Sequence, residues 1–405
     1  MQITIHRGID QIGGCITEIA TSEARILIDL GQNLPDSNGE ANDPLATRET
    51  IKKLTKGADA IFYTHYHGDH VGLMEYVPTD IEQYIGEVAK EVLIVKATYI
   101  PNQNPDRLRS LKTFTPAQRI TIKDITITPF FVSHSAADAY MFLVEAEGKK
   151  VLHTGDFRSH GYLGKGLRKF VPRYIGQVDV LITEGTMLSR STEPVKSEND
   201  LQQEIKALME KYKYLFVVGS STDMDRLATL HKANPKGRLF VCDRYQRDIL
   251  ELFTKSSGNH SDLYNFDNLS VFPKDGLLEE MRAKGFCMMV RPNGYDGKYS
   301  RFAEMAINSL PQSETVAIYS MWSGYLDRAS TRNDNHVNFL SKFTNIERVH
   351  TSGHATTECL AELCTMTNPR LAIIPIHSEK SSEYANLPIS DELKNKITLK
   401  DKLMI

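Results

Sequence analysis

From about residue 190 onward the chain repeats an amphipathic helix pattern followed by an apolar strand-like run, and no other feature constrains its fold as strongly. "ENDLQQEIKALMEKY" places Leu201, Ile205, Leu208, Met209 and Tyr212 on one helical face and leads into the strand "YLFVVG". The helices "DMDRLATLHKA", "YQRDILELF" and "YSRFAEMAINSL" then alternate with the strands "RLFVCD", "FCMMVR" and "TVAIYS". Such alternation implies a parallel sheet with crossover helices. The strand "ERVHTSG", the helix "ATTECLAELCTM" and the strand "LAIIPIH" complete the pattern.

The front of the chain has a different grammar. "MQITIH", "CITEIA", "RILIDLG" and "ADAIFYTH" are β-rich runs separated by turn residues. In "QYIGEVAKEVLIVKATYI", Gly86 can end a strand before a helix. "DITITPFFVSHS" alternates as a strand, and "AYMFLVEAEGKKVLHTGDFR" reads as a hairpin about Glu147-Gly148. A chain of 405 residues exceeds what one core usually organises, so two docked domains, or one carrying a large insertion, are expected.

"THYHGDHVG", residues 64 to 72, follows one of the front strands and packs His65, His67, Asp69 and His70 into six positions. His65 and His67 are two apart at a strand end, so both imidazoles can project to one side, while Gly68 allows a turn before the next pair. Two nitrogen ligands and then a mixed oxygen and nitrogen pair suit two adjacent zinc-like ions. Further ligands are needed, and strand ends offer them: His134 in "FFVSHS", Asp156 in "VLHTGDFR" and His377 in "LAIIPIHSE". Each alone reads more simply as a loop residue, but the junctions together do not.

These residues resemble the metallo-β-lactamase superfamily. "THYHGDH" fits its HxHxDH signature, Asp29 in "LIDLG" its preceding buried aspartate, His134 its third histidine and Asp156 its metal-bridging aspartate. The resemblance implies an αββα sandwich with the metals at one edge; Tyr66, where many relatives carry a small residue, implies a narrower entrance to the first metal. Glu184 in "LITEGTM", His354 in "VHTSGHATTE" and His377 resemble motifs A, B and C of the β-CASP nucleases, which include ribonuclease J. A histidine at the third motif goes with the RNA-processing branch. The implied organisation is a metallo-β-lactamase domain of residues 1–188 and 346–405 with an inserted β-CASP α/β domain, a parallel sheet with flanking helices, of residues 189–345. Site one would be His65, His67 and His134, site two Asp69, His70 and His377, and Asp156 would bridge them. Two Zn2+ ions are expected, with Mn2+ or Mg2+ as alternatives, and single-stranded RNA as the partner in the cleft between domains.

The chemistry agrees. Phosphodiester hydrolysis needs a nucleophile, charge neutralisation and a proton for the leaving oxygen, and two ions sharing Asp156 can supply the first two. His354, preceded by Ser352 and Gly353 and expected to open a helix, can offer its imidazole and backbone N–H groups to the scissile phosphate, or act as general acid. Glu184 would orient it, and Asp29 would brace a metal histidine. Ser220 and Ser221 before a helix would cap it and offer a second phosphate site. "VRPNGYDGKYSRF", with Arg291, Lys298, Tyr299 and Arg301, is a candidate RNA-lining loop, and Trp322 an aromatic anchor between domains. His6, His153, His160, His231, His260, His336 and His350 lack converging partners and are set aside.

Charge and termini bound the rest. The net charge of -3 excludes a nonspecific nucleic-acid coat, so a phosphate backbone must be met locally. Five scattered cysteines read as reduced core thiols. No basic leader or membrane-length apolar run is present, so a cytoplasmic protein without membrane contact is expected. Ribonuclease J proteins carry a further dimer-forming domain, whereas this chain ends at "KDKLMI", so exonuclease mode and a homodimer stay open. The rival readings are a hydrolase of the same fold acting on another ester or on DNA, and a non-catalytic RNA-binding scaffold.

Overall fold

The computed structural model describes residues 1–35, 42–100, 104–190, 195–258, 262–292 and 297–405. His260 and the 293–296 part of the Arg291 loop lie outside the described residues. The first sheet holds β1 (Gln2–Arg7), β2 (Ile16–Ala20), β3 (Arg25–Ile28), β4 (Ala60–Phe62), β5 (Glu82–Gly86), β6 (Lys112–Phe114) and, from the far end of the chain, β19 (Lys402–Met404), in the order β19-β1-β2-β3-β4-β5-β6. The second holds β7 (Ile120–Ile122), β8 (Ile125–Val132), β9 (Ala139–Ala146), β10 (Lys149–His153), β11 (Val180–Glu184) and β18 (Ala372–Ile376), in the order β18-β11-β10-β9-β8-β7.

The two sheets pack face to face. Phe62, Phe142, Ile127, Val151, Ile182 and Ile374 fill the layer between them. Helix Thr357–Thr367 covers the outer face of the second sheet through Leu360, Leu363 and Cys364, and helix Glu87–Tyr99 covers that of the first through Ala89, Val92 and Leu93. This is the expected αββα sandwich. The β9–β10 hairpin turns at Glu147 and Gly148, both left-handed (φ 50° and 71°), the conformation that a two-residue turn between twisted strands requires.

A third sheet, all parallel, contains β12 (Tyr214–Gly219), β13 (Leu239–Asp243), β14 (Leu269–Phe272), β15 (Phe286–Val290), β16 (Thr315–Ser320) and β17 (Ile346–Arg348), in the order β14-β13-β15-β12-β16-β17. Helix Glu198–Lys211 starts at a capping box formed by Ser197 and Asp200, and it buries Leu201, Ile205 and Met209 as its periodicity requires. One apolar cluster runs from helix Glu87–Tyr99 into helices Met224–Ala233 and Arg244–Ser257, so the third sheet's helices dock on the outside of the first sheet.

Two parallel registers position the site. β10 pairs with β11 (His153 opposite Ile182), and β11 pairs with β18 (Glu184 opposite Ile376). Asp156, Glu184 and His377 therefore emerge at neighbouring strand ends along one edge.

Candidate metal centre

β4 ends at Phe62, and the chain then runs through Thr64 and His65 into a single helical turn, Gly68–Val71, with His67 at its N-cap. Asp29, buried and left-handed (φ 62°), braces this segment. Its Oδ1 accepts from Thr64 N at 2.8 Å, and its Oδ2 accepts from Thr64 Oγ1 at 2.8 Å and pairs with His70 Nδ1 at 2.7 Å. His70 Nε2 is thereby turned towards Asp156 Oδ2, 3.2 Å away.

The predicted ligands converge. His65, His67 and His134 bring ring nitrogens within 4.8 Å of one another, and so do the ligand atoms of His65, His70 and Asp156. His134 Nδ1 donates to Gly353 O at 2.7 Å, which leaves Nε2 facing His67 Nδ1 at 3.2 Å. His377 (φ 52°) has Nδ1 on Thr186 Oγ1 at 2.7 Å and Nε2 on Asp69 Oδ2 at 3.1 Å. Asp156 Oδ2 lies 3.6 Å from His377 Nε2 and 3.9 Å from the Nε2 atoms of both His65 and His134.

These side chains fit metal ions. His65 Nε2, His70 Nε2 and Asp156 Oδ1 are buried without a hydrogen-bond partner, a costly state that a cation would relieve. Two nitrogens bound to one zinc at about 2.0–2.1 Å in a tetrahedron lie about 3.3 Å apart, close to the His67–His134 separation. Burial, followed by the neighbouring imidazoles, pushes His65 well below the ordinary range; burial alone dominates for His134, and it brings His67 down to about 4. All three thus present lone pairs. Burial opposes charge on His70, but Asp156, Asp29 and Asp69 outweigh it and hold this imidazole well above its usual range.

His354 and Glu184 stand beside the cluster. His354 Nδ1 lies 3.0 Å from Glu184 Oε2, 3.2 Å from Thr186 Oγ1 and 3.6 Å from Asp156 Oδ2. Glu184 Oε1 also accepts from Phe157 N at 3.0 Å and Ala355 N at 3.2 Å, so one carboxylate ties together the Asp156 and His354 loops.

Several expectations need correction. The helix after His354 begins at Thr357, capped by Thr356, and the nearer N–H groups are already engaged: His354 N donates to Ser352 Oγ and Ala355 N to Glu184. The carbonyls of Ser352 and Gly353 hold Arg158, His160 and His134. A Cβ at Gly353 would lie 2.6 Å from Ser135 Oγ and 2.9 Å from its Cβ, so a side chain there would displace Ser135. Helix Met224–Ala233 is capped by Asp223 rather than by Ser220 or Ser221, whose contacts run to Thr222, Gln246 and Arg291. Tyr66 does not narrow an entrance: it is fully buried, donating to Thr222 O at 2.7 Å and accepting from Ala137 N at 2.8 Å. Tyr299 is a core residue whose hydroxyl donates to Met289 O. His153 is structural as expected, bonded to Thr17 Oγ1.

Sequence reasoning missed four neighbours. Thr186 joins His377 to His354; Arg158 and His160 grip Ser352 O at 3.2 and 2.7 Å; and Cys15 groups with His70 and His377. Only Thr186 and Arg158 carried a signal, each lying two residues beyond a site carboxylate.

Comparison with known proteins agrees with this geometry. Residues 24–215 match the beta-lactamase superfamily domain, and residues 343–397 match the Zn-dependent metallo-hydrolase RNA specificity domain. The chain is 21% identical over 404 residues to ribonuclease J of Mycoplasma genitalium, spanning 92% of this chain and 67% of that protein. An RNase J-like protein of Methanocaldococcus jannaschii is 27% identical over 45% of this chain and 42% of its own length. Among solved structures, a protein of unknown function from Enterococcus faecalis superposes with a TM-score of 0.76 at 21% identity, covering 100% of this chain and 99% of that one. The chain belongs to the metal-dependent hydrolases of the metallo-β-lactamase superfamily, in the ribonuclease J-like β-CASP family.

Proposed function

We propose that this protein is a ribonuclease that hydrolyses phosphodiester bonds of single-stranded RNA at a two-zinc centre. The observation that carries the reading is a protonatable His354, held by Glu184 at 3.0 Å and facing the shared carboxylate of Asp156 at 3.6 Å, at the rim of a complete ligand set. His65, His67 and His134 would hold one ion, Asp69, His70 and His377 the other, and Asp156 both. When bound, the ions supply Lewis acidity towards the phosphate and a nucleophilic water at neutral pH.

The chain's own residues do the rest. Burial works against a charged His354, but Glu184 and Asp156 outweigh it and raise its imidazole above the ordinary range. With Nδ1 committed to Glu184, Nε2 is the nitrogen left to stabilise the phosphate or to hand its proton to the leaving oxygen. The RNA specificity family matched over 343–397 contains both His354 and His377, which favours RNA over DNA or another ester. The undepleted ligand set speaks against a non-catalytic scaffold.

We place the protein in the cytoplasm, and among the described residues no helix is long and apolar enough to cross a membrane. The third sheet, whose last strand reaches Arg348, forms the inserted domain, and the RNA would run in the cleft between it and the sandwich. End-labelled RNA, DNA of the same sequence and a chromogenic phosphodiester, each incubated with metal-loaded protein, test the substrate. Cleavage of RNA well ahead of DNA is expected; turnover of the small ester with both polymers intact would move the activity to small substrates.

A further inference from the structure

Cys15 follows Gly13 and Gly14, both left-handed (φ 78° and 66°), and that turn carries it against the metal loop. Its N–H donates to Asp69 O at 3.2 Å, and its carbonyl accepts from Gly31 N at 3.0 Å. The side chain is buried, and its sulfur groups with one ring nitrogen each of His70 and His377, all within 4.8 Å of one another. The sulfur fills a notch beside the motif C histidine: a Cβ built on Gly8 would stand 3.2 Å from Cys15 Sγ and 3.7 Å from His377 N. His70 Nε2, which faces Asp156 Oδ2 at 3.2 Å, is buried and makes no hydrogen bond. The other cysteines lie elsewhere, Cys242 in β13, Cys287 in β15, and Cys359 and Cys364 in helix Thr357–Thr367, and none joins a ligand group among the described residues.

We propose that Cys15 contributes its sulfur to the second metal site, making it a mixed nitrogen, oxygen and sulfur site with His70, His377 and Asp69. This rests on the two-ion reading above and says which ions the site prefers. A sulfur–metal bond forms as the thiol proton leaves to solvent, and a soft ligand of this kind favours Zn2+, Co2+ or Cd2+ over the hard Mg2+ and Mn2+. Cys15 would supply a soft ligand from a buried position, and its role would be to tune the ion rather than to meet substrate.

The test is the absorption spectrum of the full-length protein loaded with Co2+. A sulfur-to-cobalt charge-transfer band in the near ultraviolet is expected beside the visible bands given by nitrogen and oxygen ligands. Cys15→Ser should lose the first and keep the second, and Cys242→Ser should keep both. X-ray absorption of the unmutated zinc-loaded protein reads the same contact without a variant, as a sulfur scatterer at about 2.3 Å. Visible bands with no near-ultraviolet band in the parent, a band that survives Cys15→Ser, or a zinc shell of nitrogen and oxygen alone would each overturn the assignment. A protein that binds no cobalt at all would instead remove the two-ion reading on which it rests.

Discussion

Asp29 is the clearest case of one side chain setting a site it does not itself enter. Its carboxylate fixes the His70 tautomer through Nδ1 and pins the loop backbone at Thr64. Such supports typically contribute 10- to 100-fold in metal affinity, so Asp29→Ala is expected to weaken the second site by roughly that factor in competition with a chromophoric chelator. His354 has a different signature. A group that must carry a proton acts below its pKa, so with Glu184 and Asp156 raising that pKa against burial, activity should persist through neutral pH and decline as pH rises through the raised value. His354→Ala should lower kcat by roughly 10²- to 10⁴-fold and abolish this alkaline limb, and Glu184→Gln should move the limb to lower pH. An alkaline limb unchanged in His354→Ala would remove the proton role. The ligands themselves were legible because His and Asp at strand ends stand out locally. His160 and Cys15 were not, since each acquires its contacts only through the fold: His160 reaches Ser352 across more than 190 positions.

At the scale of elements, the metal loop and the third sheet are joined by Tyr66, whose hydroxyl links Ala137 N before β9 to Thr222 O before helix Met224–Ala233. Tyr66→Phe leaves a buried donor and a carbonyl without their partner, and a loss of about 1–3 kcal/mol of stability by denaturant unfolding is expected. Helices with strong caps and long apolar faces, such as Glu198–Lys211, were readable in advance. The stretch between Phe253 and Phe286 was not: β14 has only four residues with three partly exposed, and helix Leu277–Lys284 starts from left-handed Gly276 with no capping side chain. Neither presents the periodicity or the punctuation that local reading requires. The expectation of a helix opening at His354 failed for a related reason, because Thr356 caps the helix two residues later and Glu184 takes up the intervening N–H.

At the scale of the whole molecule, a buried charge cluster ties the loop after Asp156 to helices Glu198–Lys211 and Met224–Ala233 of the third sheet. Arg158, two residues past Asp156, meets Glu198 at 3.2 Å and Asp225 at 2.9 Å, and Arg226 meets Glu198 at 3.1 Å. Burial raises the Glu198 carboxyl, but Arg226 and Arg158 outweigh it and bring it from its ordinary 4.5 to about 2. A carboxylate lowered on folding stabilises the native state above its ordinary pKa, and that contribution is lost as pH falls from about 4.5 towards 2. Glu198→Gln should cost about 3–5 kcal/mol at neutral pH by leaving buried arginine charge uncompensated, and the difference from the parent should shrink across that acid window. In the same cluster burial pushes Asp223 up to about 6, so acid unfolding of the parent alone would mix opposing effects; the difference between variant and parent separates them. The β-rich front and α/β middle were evident from pattern, whereas the pairing of β19 with β1, which ties Met404 to Gln2, depends on a contact between the chain's two ends that no local signal announces.

One shared carboxylate, that of Asp156, would assemble two ions into an RNA-cleaving centre. Metal content by mass spectrometry, measured beside cleavage of end-labelled RNA for the parent and for Asp156→Ala, tests it most directly. Two ions per chain with RNA cleavage in the parent, and a loss of bound metal together with cleavage in Asp156→Ala, is the expected result. Undiminished cleavage by Asp156→Ala would contradict it.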